Sequence, residues 1–261
     1  MFYLSGVGIS FFLGLLLLSK RKKTLADQIL LCWLIIITLH LLLFYFRKFS
    51  IYPELLGTEI PIPLLHGPFL YLYTLSLTNR SSSIGISLLH FLPAFGVLIY
   101  IASFLFLPVD QKIFVYENKG LGYETFGAIK SVLIIISGVF YVFASSFVLS
   151  KHRASIVNQF SNADKINLQW LQYLIYWIGI IWLLVIFTND DWVFAAAVLF
   201  VVFIGFFGIR QVGIFHANES PIELKNSAVS SIEDEEIQEK RKYQKSGLDA
   251  RNLQQTPSST N

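Results

Sequence analysis

Long apolar runs, each closed by a charged or polar break, follow one another through the first 210 or so residues. A helix crossing the hydrocarbon core of a bilayer needs about 20 mostly apolar residues. The first run covers 2–18 and stops at Lys20-Arg21-Lys22-Lys23. A secretory signal peptide carries its basic cluster before the apolar stretch, whereas Met1, Phe2, Tyr3 and Leu4 open this chain. An uncleaved first helix with its N-terminus outside is therefore expected. Further runs cover 29–46, ended by Arg47-Lys48, and 62–78, which follows Pro61-Ile62-Pro63. The fourth covers 84–107, with Pro93 as a kink that a packed bundle tolerates. The fifth, 128–149, stops at Lys151-His152-Arg153; 168–188 and 192–209 flank the polar turn Asn189-Asp190-Asp191. The expected fold class is all-α: a polytopic membrane helix bundle of about seven transmembrane helices with a short cytoplasmic helical tail. Six spans is the alternative, if the Pro-flanked third helix is re-entrant.

Composition points the same way. The chain is 54% apolar, 16% aromatic and 14% charged, against about 25% charged in an average soluble domain. It has too few polar groups to cover a soluble surface. A formal net charge of +3 is too small to suggest a nucleic-acid surface. With the N-terminus outside, the inner segments hold nine basic residues: Lys20, Arg21, Lys22, Lys23, Arg80, Lys151, Arg153, Lys165 and Arg210. The outer loops hold four, Arg47, Lys48, Lys112 and Lys119. That bias fixes the orientation, and an odd number of crossings leaves the C-terminus in the cytoplasm. No segment repeats another, so the inverted repeats of many transporters are not evident. Cys32 is the only cysteine, which excludes an intrachain disulfide; its apolar surroundings predict a buried, inert thiol.

The composition changes after residue 213. Residues 1–213 read as the transmembrane domain, and 214–261 as a cytoplasmic connector helix with a disordered tail. A soluble helix is expected at 231–246. Ser231 and Asp234 resemble a capping box, Glu233, Glu235 and Glu236 add to the acidic first turns, Lys240, Arg241, Lys242 and Lys245 fill the last, and Gly247 ends it. The acidic residues ahead of Lys240-Arg241-Lys242 weigh against nucleic-acid binding, and the remaining length cannot hold a helix-turn-helix with its own core.

Ionisable residues at membrane depth are the first candidates for function. No Asp or Glu lies centrally in any run, which argues against a carboxylate proton relay, and the seventh run has no Lys for a retinal Schiff base. Lys130, near the outer end of the fifth run, is placed to snorkel. Three histidines remain. At the rise of an α-helix, His40 lies about 18 Å above the inner end of its run, His66 about 6 Å below the outer boundary and His90 about 9 Å from the inner side. His40 and His66 can therefore meet in the outer half, and His90 is too low to join them. Two histidines without a central carboxylate or thiolate make a poor zinc site, so no metal and no cofactor are expected.

His66-Gly67-Pro68, followed by Phe69-Leu70-Tyr71-Leu72-Tyr73, is the most distinctive local sequence. It fits a kinked, tightly packed helix end; it also fits the lining of a small-molecule pocket open to the outside. On the second reading the ligand-binding candidates are His40, His66 and Tyr71, with Glu54 and Glu59 from the outer loop at 52–59. The chain has no nucleophile elbow, HExxH, Gly-rich phosphate loop or paired glutamates on one helix, so it is not expected to be an enzyme.

Several stretches resemble the N-terminal membrane domain of bacterial membrane-bound AraC-type transcriptional regulators. They are Lys20-Arg21-Lys22-Lys23-Thr24-Leu25-Ala26-Asp27, the segment 61–73 with Ser76-Leu77-Thr78, His90-Phe91-Leu92-Pro93, and Lys242-Tyr243-Gln244-Lys245-Ser246-Gly247-Leu248. The resemblance covers residues 1–248. It implies a multi-span sensory input module in the bacterial inner membrane, a connecting helix and a DNA-binding output domain; by the same analogy it implies a homodimer. Where that family continues into its DNA-binding domain, this chain reads Asp249-Ala250-Arg251-Asn252 and stops soon after. No DNA-binding residue carries over. The expected partners are the lipid bilayer and a small-molecule or membrane-borne signal, with no nucleic acid contacted. The alternatives are a small-solute transporter or channel-like protein, and a truncated relative without function.

Overall fold

A computed structural model describes residues 1–80, 83–157 and 168–215, without side chains at 156–157 and 208–215. The helix expected at 231–246 and the tail beyond it lie outside the described residues. The chain divides into two compact units, Met1–Phe207 and Gly208–Asn261. Among the described residues every regular element is helical and there is no strand. The helices are α1 (Phe2–Ser19), α2 (Leu25–Lys48), α3 (Pro63–Leu77), α4 (Ile84–Leu89), α5 (Leu92–Leu105), α6 (Val109–Glu117), α7 (Glu124–Val157), α8 (Gln169–Phe187) and α9 (Asp190–Phe215). A single 3-10 turn, Pro53–Leu55, precedes α3.

Five of these helices are long and apolar enough to cross a membrane: α1, α2, α7, α8 and α9. A sixth joins them if α5 and α6, bent by 114° at their junction, form one broken span. The two remaining runs depart from simple spans for local reasons. Helix α3 has 15 residues, because Pro61 and Pro63 confine its start. The run at 84–107 is two helices rather than one kinked helix. Pro93 has no N–H to offer the carbonyl of Leu89, so α4 ends there and α5 begins afresh at Leu92 with the proline in its first turn.

Local chemistry also explains the entry into α2. Thr24 accepts from the Asp27 backbone N–H while Asp27 accepts from the Thr24 N–H, a full capping box. Lys20 adds an ion pair to Asp27 at 2.7 Å, which holds the connection from α1 tight. The segment Lys20–Asp27 thus has a structural role independent of any resemblance.

Small residues let the helices approach. A Cβ on Gly6 would fall 2.7 Å from Val198 Cγ2, and one on Gly67 would fall 2.5 Å from Tyr141 Cδ2. Gly138 lies under the indole of Trp182. Such close backbone approach is how apolar helices gain packing without a hydrophobic drive from water. Buried hydroxyls add hydrogen bonds: Thr38 donates to Ser10 at 2.8 Å, joining α2 to α1. The outer surface of the bundle is rich in large apolar side chains, among them Ile35, Phe140, Phe143, Phe147 and Leu183. Cys32 belongs to that surface. It is exposed, which corrects the expectation of a buried thiol. Helices that are apolar all round give no periodicity from which an inward face can be read.

Contacts between helix ends establish direction. Tyr3 of α1 donates to Asp191 of α9 at 3.2 Å, and Lys48 at the end of α2 pairs with the same carboxylate. Arg47 of α2 pairs with Asp190 at 2.7 Å and with Glu59, just ahead of α3, at 3.2 Å. The starts of α1, α3 and α9 and the end of α2 therefore share one end of the bundle. Helix α6 lies at the same end, where Lys112 donates to the Glu54 carbonyl at 2.7 Å and Tyr116 accepts from Arg47 at 3.2 Å.

Candidate functional site

Helices α2, α3, α7, α8 and α9 enclose a cavity of about 570 Å³ below this polar end. That is the size of a small-molecule site, and its walls have the usual character of one, mostly apolar with a few convergent polar groups. Ile134 and Ile135 come from α7, Ile178, Ile181 and Trp182 from α8, Phe194 and Ala197 from α9. Each helix contributes residues three or four apart, so one face of each turns inward.

Two histidines line the cavity two turns below the mouth. His40 Nδ1 and His66 Nε2 are 2.9 Å apart, and Trp33 Nε1–H donates to His66 Nδ1 at 3.2 Å. An indole N–H only donates, so His66 Nδ1 accepts and carries no proton. The proton of a neutral His66 is then on Nε2 and is donated to His40 Nδ1. By the same bookkeeping the proton of neutral His40 is on Nε2. Trp33 is fully buried and anchors the relay from the core side. His40 Nε2 makes no hydrogen bond among the described residues, yet it is not one of the polar atoms sealed from solvent. It is the end of a directed chain, and it presents a donor where His40 borders the cavity.

The mouth is charged. Arg47, Glu59, Lys130 and Asp190 line it, with Tyr116 and Lys119 from the α6 region. Arg47 is committed: its Nη2 donates to Asp190, its Nη1 to Tyr116, and its Nε faces Glu59 Oε1 at 3.2 Å without the angle of a hydrogen bond. Burial raises the Glu59 carboxyl above its ordinary value; its own backbone N–H, Arg47, the Gly57 N–H and Lys130 pull the other way without cancelling that cost. Lys130 makes no hydrogen bond and no ion pair within 4 Å among the described residues. Three cations face two carboxylates at the mouth. Among the described residues neither Lys130 nor the exposed Lys119 makes a side-chain hydrogen bond or ion pair, and Lys130, the half-buried one, meets Glu59 and Asp190 only at longer range.

Of the five residues singled out from the sequence, the structure brings together His40, His66 and Glu59 on this cavity. Tyr71 stands elsewhere, its ring 5.2 Å from that of His90 and 6.0 Å from that of Tyr141. Five residues from His66 is about 140° around a helix, so the two side chains leave α3 in different directions. Glu54 is exposed and contributes its backbone carbonyl to Lys112 rather than its carboxylate to the cavity. His90 pairs with Tyr141, Nδ1 to Oη 2.9 Å, apart from the other two histidines. Arg47, Lys130, Trp33 and Trp182 were not singled out as site residues. The first two read as topology markers in a sequence; their only further signal is proximity to the ends of apolar runs.

Chemically the arrangement can bind and orient, with a fixed donor at depth and a cation at the mouth. Among the described residues no three His, Cys, Asp or Glu side chains converge on a point that would hold a metal ion. In comparisons with family models, curated proteins and solved structures, nothing matches this chain.

Proposed function

We propose that this chain is a membrane-embedded sensory module that binds a small molecule in the cavity between α2, α3, α7, α8 and α9. It is the signal-input part of a regulator of the membrane-bound AraC type, and the segment after residue 213 carries the signal inward. On this reading the bundle crosses the membrane seven times, with α3 and the broken pair α4–α5 completing the five long helices. The N-terminus and the cavity mouth are outside and the C-terminal segment is cytoplasmic. The alternation of helix directions supports that count, because α1, α3 and α9 start at the end where α2 finishes. The basic residues concentrated at the opposite end support the orientation.

The observation that carries the proposal is the cavity itself: about 570 Å³, apolar-walled, with a tautomer-fixed donor at depth and a charged mouth. A cavity lined by groups prepared for a guest is more than a packing defect.

The test uses the purified full chain in lipid nanodiscs and a panel of small amphiphiles, read by thermal unfolding. At least one compound is expected to raise Tm for the unaltered protein, by linkage, and to have no effect on Ala197→Trp, which fills the cavity. Removal of residues 214–261 is expected to leave that stabilisation in place. Absence of any stabilising compound, or stabilisation that survives Ala197→Trp, contradicts the binding site. Loss of binding on removal of the tail contradicts the division between input and output.

A further inference from the structure

The lining also specifies the chemistry of the guest, given that the cavity is a binding site as proposed above. Three features of it constrain a ligand independently. Among the described residues Lys130 and the exposed Lys119 are the mouth cations with no side-chain hydrogen bond or ion pair, and Lys130 is the half-buried one, whereas Arg47 already serves Asp190, Glu59 and Tyr116. The walls between are mostly aliphatic side chains and aromatic rings, and the hydroxyls of Ser131 and Thr188 in the lining already donate to the Gly127 and Leu184 carbonyls. At depth, the Trp33–His66–His40 relay ends in an N–H donor. This donor cannot be turned into an acceptor while Trp33 holds its hydrogen bond, since reversing His40 would move the His66 proton to Nδ1, against the Trp33 N–H. His40 stands seven residues from Arg47 on α2, two turns or about 10 Å deeper.

We infer that the cavity takes a single-chain anionic amphiphile whose acid group meets Lys130 and whose chain carries an oxygen, hydroxyl or carbonyl, that accepts from His40. From the level of Arg47 at the mouth, the drop of about 10 Å to His40 is within the reach of an extended ten-carbon chain. The volume is ample for one such chain. A cationic amphiphile meets the wrong charge at the mouth. A plain alkyl chain leaves the His40 donor unsatisfied, which is the costly state for a buried polar group.

The experiment is equilibrium binding of radiolabelled decanoate and ω-hydroxydecanoate to the full chain in nanodiscs of zwitterionic lipid, with decyltrimethylammonium as competitor. On the unaltered protein the hydroxy acid is expected to bind about fivefold tighter than decanoate, the worth of one well-placed hydrogen bond. The ammonium compound is expected not to compete. Lys130→Met is expected to weaken both acids roughly tenfold, as befits loss of a charge-assisted contact, and His40→Phe to bring their ratio to near one. The ligand series needs no variant, so the inference stays testable even if His40→Phe does not fold.

Equal binding of the ammonium compound, or no preference for the hydroxy acid, overturns the inference while leaving the cavity a binding site, provided Ala197→Trp abolishes the binding. Binding of neither acid overturns the inference alone if another amphiphile still stabilises the unaltered protein; binding indifferent to Ala197→Trp removes the site and the inference together. Loss of decanoate binding in nanodiscs of anionic phospholipid assigns the mouth to a lipid headgroup and overturns the single-chain guest.

Discussion

Gly67 concentrates much of what holds this bundle together. It is buried beside Pro68 on α3, and its missing side chain is the space that the Tyr141 ring of α7 occupies. Tyr141 in turn reaches His90. Gly67→Ala is expected to destabilise the protein by about 1–3 kcal/mol through overpacking, measured as a fall in Tm in detergent. Gly96 on α5 has nothing within 4 Å of where a Cβ would stand, so Gly96→Ala is expected to be neutral or stabilising by roughly 0.5–1 kcal/mol. A similar fall for both would mean that glycine matters here for flexibility rather than for contact. Glu59 gives a second prediction at this scale. Its carboxyl is raised by burial, so the folded protein holds that proton more tightly than the unfolded chain. Stability is then expected to decline as pH rises from the ordinary carboxylate range through the raised folded value, and Glu59→Gln to flatten that slope. A slope of the opposite sign, or one unchanged in Glu59→Gln, would show that the ion pair with Arg47 outweighs burial.

At the scale of elements, the helices were legible where chain chemistry is local. Apolar runs between basic clusters located α1, α2, α7, α8 and α9, because length and composition alone decide whether a helix can cross a bilayer. The break at His90 was legible only as a kink. Pro93 marks the place, but whether a helix bends or restarts depends on what its freed neighbours can pack against. Which face of each helix turns inward was not legible at all, and Cys32 is the instance: its neighbours are apolar on every side of α2. Helix α6 was also hidden. Its residues read as an outer loop, yet Val109–Glu117 is helical and pinned at the polar end by the buried Lys112 ammonium on the Glu54 carbonyl. Lys112→Met keeps the apolar stem and removes that hydrogen bond. Amides of α6 are expected to exchange several-fold faster in this variant, as read by hydrogen-exchange mass spectrometry. Unchanged exchange would place the anchoring of α6 in the Tyr116–Arg47 contact instead.

At the scale of the whole molecule, helical rise was enough to bring His40 and His66 to one level, because depth along a helix follows from residue number. Their place on a cavity, and the partnership with Lys130 and Glu59, follow from the lateral order of five helices, which no single run encodes. The proposed topology puts residue 118, next to α6, outside and residue 22, between α1 and α2, inside. With Cys32 replaced by serine, a cysteine at Asn118 is expected to react with an impermeant maleimide in intact cells, and one at Lys22 only after permeabilisation. The reverse pattern would invert the molecule and place the cavity mouth in the cytoplasm. The most direct measurement is a crystal structure of the full chain grown with decanoate. The account predicts density for the chain along Ile134 and Ile178, with its carboxylate at Lys130 and its far end toward His40. A cavity filled only by water, with decanoate confined to the outer apolar surface, would contradict it.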